Sequence, residues 1–259
     1  MATISDIVKI KSGYANFVEL KSSFEQDQEN LERMAMYRPT AAHRSAFERI
    51  CRGLFNPTDK KFYMLTGSYG TGKSHLCLML ANFLSRSSGD PEIAGFYDNY
   101  ENLDPDQGKM LRNLRKGGQY LVAICDYNSG QNFEGVVLKA VLEACEAKGI
   151  ESLLQTQHDE AERLLAGWEE KSGDAAAVAN FYDNFTKALE KTAPSITVDQ
   201  LREGLRNYDS SMLGAFKSAY REAQGGIEFQ SQAGNLIPII KNLVKSDGFK
   251  SRFKGLAIL

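Results

Sequence analysis

No stretch of this 259-residue chain is apolar for long enough to cross a bilayer, which takes about 20 consecutive residues. Residues 1–14 (MATISDIVKIKSGY) lack the apolar centre that a secretory leader carries. The expectation is a cytoplasmic protein with no membrane partner. Histidine is scarce, and His43, His75 and His158 are too scattered to suggest a metal centre. The four cysteines (Cys51, Cys77, Cys125 and Cys145) form no C-x-x-C pair, and each lies in an apolar stretch. They read as reduced core thiols rather than disulfides or metal ligands. An excess of one charge is also missing. The 31 Lys and Arg nearly balance 33 Asp and Glu, for a formal net charge of -2 at pH 7. That excludes a globally basic nucleic-acid coat and leaves room only for a local basic groove. No internal repeat of fixed period is present.

What is present has a clear order. Residues 1–36 form a polar lead-in. Ala42, Ala46, Phe47, Ile50 and Leu54 then recur at helical spacing after Pro39, and Asn56-Pro57-Thr58-Asp59 is a turn signal that ends the helix. Residues 61–66 (KFYMLT) are short and mostly apolar, which predicts a buried strand. A helix over 73–86 follows, with Leu76, Leu80, Phe83 and Leu84 on one face. Residues 92–118 read as polar and turn-rich, ending in the basic cluster Arg112, Arg115 and Lys116. The run 120–125 (YLVAIC) is the best strand in the chain, and Phe133, Val136, Val137, Ala140 and Val141 mark a helix over 132–148. This alternation of strands and helices predicts an α/β fold with a parallel sheet flanked by helices.

Beyond 150 the composition turns to Ala, Leu, Glu, Lys and Gln. Helices are predicted over about 151–170, 174–191, 198–206 and 209–223, as a helical insertion. Trp168, Phe181, Tyr182 and Phe185 read as core packing rather than base-stacking platforms. One more helix is expected over 231–246, bent or started near Pro238, before the apolar 255–259 (GLAIL). The implied division is a lead-in with a helix (1–56), a nucleotide-binding core (57–150), the insertion (151–230) and a return to the core (231–259).

The chemistry centres on Gly67-Ser68-Tyr69-Gly70-Thr71-Gly72-Lys73-Ser74, which fits G-x-x-x-x-G-K-[ST] at every fixed position. A polyphosphate crowds several negative charges together. Backbone N–H groups and the start of the following helix answer them, and the glycines permit positive φ and close approach. Lys73 would reach β- and γ-phosphate oxygens, and the Ser74 hydroxyl would ligate Mg2+. His75 is adjacent and is counted with the loop, although its place on the first helical turn also suits a structural role. The guanine-specifying N-K-x-D motif is absent, which favours ATP.

Hydrolysis also needs a carboxylate that holds the magnesium through water. Asp126 ends the 120–125 strand and fits the bare pattern, but Tyr127 and Asn128 follow where a catalytic Glu would stand. Asp126 could instead start a turn or cap the helix near Asn132. The second candidate is 255–259, which looks like the opening of a strand cut off before its acids. On that favoured reading, the chain is the N-terminal portion of a larger ATPase.

Tyr37-Arg38-Pro39-Thr40, the GSYGTGKSHL segment, the strand ending at Asp126, the long helical stretch and the final GLAIL together resemble a known family. These are the large P-loop ATPases of bacterial anti-phage islands, of the PglY and BrxC type of the BREX systems. ATPases of DNA-phosphorothioation-dependent restriction are a close second. The likeness covers much of the chain in layout, but only residues 69–76 are close to specific in wording. It implies an AAA-like fold, ATP turnover with Mg2+, contact with DNA and other defence proteins, and assembly as a homo-oligomer. Two other function classes compete. A non-hydrolysing nucleotide-gated scaffold needs no acid. A small-molecule kinase would need a clamp of arginines, yet Arg163, Arg202, Arg206 and Arg221 are spread as an amphipathic surface would be.

Overall fold

The computed structural model describes residues 18–259 apart from 26, 57, 60, 88, 128–131, 172–175 and 232–234. Residues 1–17 of the lead-in and residues 128–131 after Tyr127 therefore lie outside the described residues. The chain divides into two compact units, Met1–Lys116 and Gly117–Leu259.

The described part of the first unit is helical: α1 (Leu20–Glu25), α2 (Asp27–Ala35), α3 (Ala41–Phe55), α4 (Lys73–Ser85), α5 (Pro91–Leu103) and α6 (Pro105–Arg115). Helix α3 starts where the sequence stops it from starting earlier. Pro39 precedes it, and the Thr40 side chain accepts the His43 N–H as an N-cap. The supposed turn-rich stretch is instead two helices. Each opens with a proline whose fixed φ suits a first turn, behind Asp90 and Asp104. Within α5, Ile93, Phe96, Tyr97 and Tyr100 make a buried stripe hidden among acidic and amide residues.

That stripe meets Phe47 from α3 and Phe83 from α4. Phe47 lies 5.2 Å from Phe83, and Phe96 lies 4.9 Å from Tyr100, ring centre to ring centre. Helix α4 is buried nearly all round, from Leu76 to Leu84. A reciprocal amide pair ties it to α2. Asn30 Nδ2 donates to Asn82 Oδ1 at 2.9 Å, and Asn82 Nδ2 donates to Asn30 Oδ1 at 2.7 Å.

Residues 61–66 do not form the predicted strand. Phe62 and Met64 are 78% and 74% exposed, and only the start is tied down, by Lys61 Nζ donating to the Gly53 and Leu54 carbonyls at the end of α3.

The second unit holds the sheet. Strand β1 (Tyr120–Ala123) pairs in parallel with β2 (Gly255–Ile258), Tyr120 opposite Gly255 and Ala123 opposite Ile258. The Cys125 N–H extends the ladder to the Leu259 carbonyl at 2.7 Å. Gly255 is required by close approach, since a Cβ there would lie 2.8 Å from the Tyr120 ring. Helix α7 (Phe133–Glu146) covers the sheet, and with α12 (Leu236–Lys245) and α13 (Asp247–Lys250) it closes one core around Leu121, Val141, Leu243 and Phe249.

A separate helical core joins α8 (Gln157–Lys171), α9 (Ala176–Thr192), α10 (Val198–Arg206) and α11 (Ser210–Ala223). Phe185 and Phe216 are fully buried there, and Trp168 lies 4.5 Å from Phe181 and 5.5 Å from Phe185. The aromatic cluster is core, as expected.

The predicted α/β class is overturned. The described residues are mostly helical and contain one sheet, of two strands, whereas the AAA-like P-loop fold needs a larger parallel sheet. A strand exists through the partner that satisfies its N–H and C=O groups. Residues 120–123 and 255–258 have that partner; residues 61–66 have none among the described residues.

Candidate phosphate-binding loop

Gly70 and Gly72 both sit at φ +80°, where a side chain would be strained. Gly72 is the N-cap of α4 and offers no side-chain cap, so the first turn of the helix faces outward without a built-in acceptor. Lys73 folds back across the loop. Its Nζ donates to the Gly67 carbonyl at 2.9 Å and to the Ser68 carbonyl at 2.8 Å. Thr71 Oγ1 donates to the Ser68 carbonyl at 2.9 Å, closing the turn from inside. Ser74 is exposed on the first turn of α4, and Tyr69 points to solvent at 94% exposure.

A second layer braces the loop from behind. His43 Nε2 lies 2.9 Å from the Thr71 carbonyl, and His43 Nδ1 lies 2.9 Å from the Tyr37 hydroxyl. A carbonyl can only accept, so Nε2 carries the proton and Nδ1 accepts from the phenol. Burial pushes the Tyr37 phenol well above its usual range, which keeps that donor protonated. A Cβ on Gly72 would lie 2.8 Å from His43 Cε1, so the ring also enforces glycine there. His75 stands against Tyr37, edge to face at 4.9 Å. Burial first, then the electrostatic influence of neighbouring His43 and Arg33, holds its imidazole below the ordinary range.

The structure thus brings Gly67, Ser68, Gly70, Thr71, Gly72, Lys73 and Ser74 into one turn. Asp126 follows β1 in the second unit and is exposed. It does not cap α7; the Asn132 side chain does, accepting the Gly135 N–H at 2.7 Å. Among the described residues, no three His, Cys, Asp or Glu side chains cluster as a metal site.

Of the basic cluster, Arg112 and Arg115 are tied into the fold, while Lys116 is exposed. Arg112 donates to Glu101 at 2.7 Å and Asp98 at 2.8 Å while its guanidinium covers the Tyr97 ring. Arg115 is 1% exposed and donates to the Arg86 carbonyl. Three of the dispersed arginines of the second unit are also engaged, Arg206 with Glu162 at 2.7 Å, Arg202 with Glu169, and Arg221 with Glu228 at 3.2 Å.

The brace of Tyr37 and His43 was missed in the sequence because His43 lies 28 residues from Thr71 and matches no motif. No protein-family model matches the chain, and no curated protein or solved structure matches it.

Proposed function

We propose that residues 67–74 bind the polyphosphate of ATP with Mg2+, and that this binding is the basis of an ATP-dependent activity. The reading concerns the loop and its helix, not a P-loop NTPase fold. One observation carries it: Lys73 Nζ stands over the Gly67 and Ser68 carbonyls at the glycine-capped start of α4. Those carbonyls are weak partners for an ammonium group, and phosphate oxygens would replace them with charge-assisted bonds. The N–H groups of the first turn and the dipole of α4 favour the same ligand.

Ser74 would supply a hard hydroxyl ligand to Mg2+. Water attack on the γ-phosphate would need a carboxylate on the metal side, for which Asp126 is the candidate within this chain. Coupling of turnover to DNA or to partners in phage defence rests on the sequence resemblance alone.

Isothermal titration with ATP and Mg2+ tests the reading. Lys73→Ala should weaken binding by about 10- to 100-fold, the loss of charge-assisted hydrogen bonds worth roughly 1.5–3 kcal/mol. Wild-type protein that takes up no nucleoside triphosphate sinks the proposal. Phosphate release, with and without DNA, then separates an ATPase from a nucleotide-gated scaffold; an Asp126→Asn variant that still turns over at the wild-type rate removes Asp126 from the chemistry.

A further inference from the structure

A second polar site lies within the second unit, independent of the glycine loop. A cleft of about 230 Å3 has the starts of four helices among its lining. Asn132 is the N-cap of α7 and Asn235 that of α12, while Gln157 and Ser210 are the first residues of α8 and α11. Each of these helices is at least 10 residues long, so each brings the positive end of a full macrodipole to the same space. Asn235 makes no side-chain capping bond of its own.

His158 lines the same cleft and is only 5% exposed, and its ring nitrogens make no hydrogen bond of full geometry, the Asp209 backbone being a polar neighbour. A buried imidazole left unpaired costs free energy that an incoming acceptor would recover. Lys217 also lines it, and its ammonium donates to the neutral Gln157 Oε1 at 2.6 Å rather than to a carboxylate.

The acids facing His158 are already engaged. Asp159 accepts the Thr156 N–H and hydroxyl with one oxygen and the Tyr208 hydroxyl with the other. Asp209 accepts from Ser211 and Met212 at the start of α11. Glu134 is the acid among the lining residues, and its side chain is exposed. Leu138, Leu213 and Ile239 add an apolar part to the lining.

We infer that this cleft binds a small ligand bearing an oxyanion, carboxylate or phosphate, on a compact apolar body. The oxyanion would lie among the four helix starts, accepting from His158 and Lys217, with the apolar body against Leu138 and Leu213. The volume is below the roughly 300–1,000 Å3 of clefts that hold drug-sized molecules, which limits the ligand to a small metabolite-sized one.

The test is an NMR titration of the intact chain labelled in its histidine rings, with the His158 signal assigned through a His158→Gln variant. Sodium hexanoate and inorganic phosphate are added separately against sodium chloride at matched ionic strength. Lys73→Ala protein serves as the background, so that occupancy of the glycine loop does not contribute. A saturable shift of the His158 ring with either anion is expected, and its identity assigns the head group. Lys217→Met should weaken that binding about tenfold or more, and Lys217→Arg should restore most of it. No saturable shift beyond chloride with either probe overturns the inference, as does equal affinity in folded Lys217→Met protein.

Discussion

The glycine loop of the first unit and the cleft of the second both present helix starts, but they assemble them in opposite ways. In the loop, one helix start is bared by glycine, and a single lysine supplies the charge near solvent. In the cleft, the starts of four helices and a buried imidazole line one space, and the side chains come from residues 132 to 239. A contiguous loop can recognise phosphate because its own backbone N–H groups are the donors. A dispersed site has no such shortcut and depends on the packing that holds its walls. The first is therefore sensitive to backbone geometry and the second to core packing.

The largest expected effect tests the second half of that contrast. Phe216 is fully buried on α11 and meets Phe185 at 5.4 Å and Phe229 at 5.2 Å. Phe216→Ala should cost about 3–5 kcal/mol in urea unfolding. A loss under about 1 kcal/mol would mean that α11 tolerates a cavity and that the wall carrying Ser210 and Lys217 is not held by its core.

Next comes the amide pair behind the loop. Asn82→Leu leaves Asn30 buried at 1% exposure without its partner, and should cost about 1–3 kcal/mol. Replacing both asparagines with leucine should recover part of that loss; a double variant as unstable as the sum of the singles would show that the pair is not a unit.

Gly72→Ala should cost about 1–2 kcal/mol, because φ +80° strains any residue with a Cβ and the His43 ring lies in its path. The same variant should weaken ATP binding more than it lowers stability. An unchanged affinity would remove backbone geometry as the loop's main determinant.

The smallest effect is on pH dependence. Burial holds His75 and His158 below the ordinary 6.5, with His43 and Arg33 adding to the depression at His75 and Asp159 and Asp209 partly offsetting it at His158. Unfolding returns both to the ordinary value, so the unfolded chain binds more protons below it. The contribution is present above 6.5 and is lost as pH falls through the folded values. Urea midpoints should drop between about pH 7.5 and 5.5, and His75→Gln should flatten part of that slope. A midpoint that rises on acidification reverses the assignment.

Much of the helical layout was legible because strong local signals agree with packing. Thr40 and the apolar spacing after it mark Ala41–Phe55, and Thr197 with Gln200 forms the capping box that opens Val198–Arg206. Helices α5 and α6 were not legible as such. In α5 the stripe of Ile93, Phe96, Tyr97 and Tyr100 shows only when the segment is read at 3.6 periodicity, because Asp98, Asn99, Glu101 and Asn102 are interspersed with it.

 The polar residues between those positions mask the stripe and make the segment resemble a loop. In the same way, Arg115 looked like surface charge, yet it is buried against the Phe83 ring at 5.7 Å.

Local sequence alone determined the loop of residues 67–74, the helix that follows Pro39, and the apolar runs at 120–125 and 255–259. Each depends on residues close in the chain: glycines that allow positive φ, a side chain that reaches its own helix start, or β-branched and aromatic neighbours. Only the tertiary structure decided that 120–123 pairs with 255–258 while 61–66 stays unpaired among the described residues, and so that the fold is mainly helical. It also decided that Tyr37 and His43 brace the glycine loop and that four helix starts and His158 line one cleft. Strand pairing, a buried imidazole and a shared cleft join residues far apart in the chain, and no local preference encodes which distant partner will satisfy them.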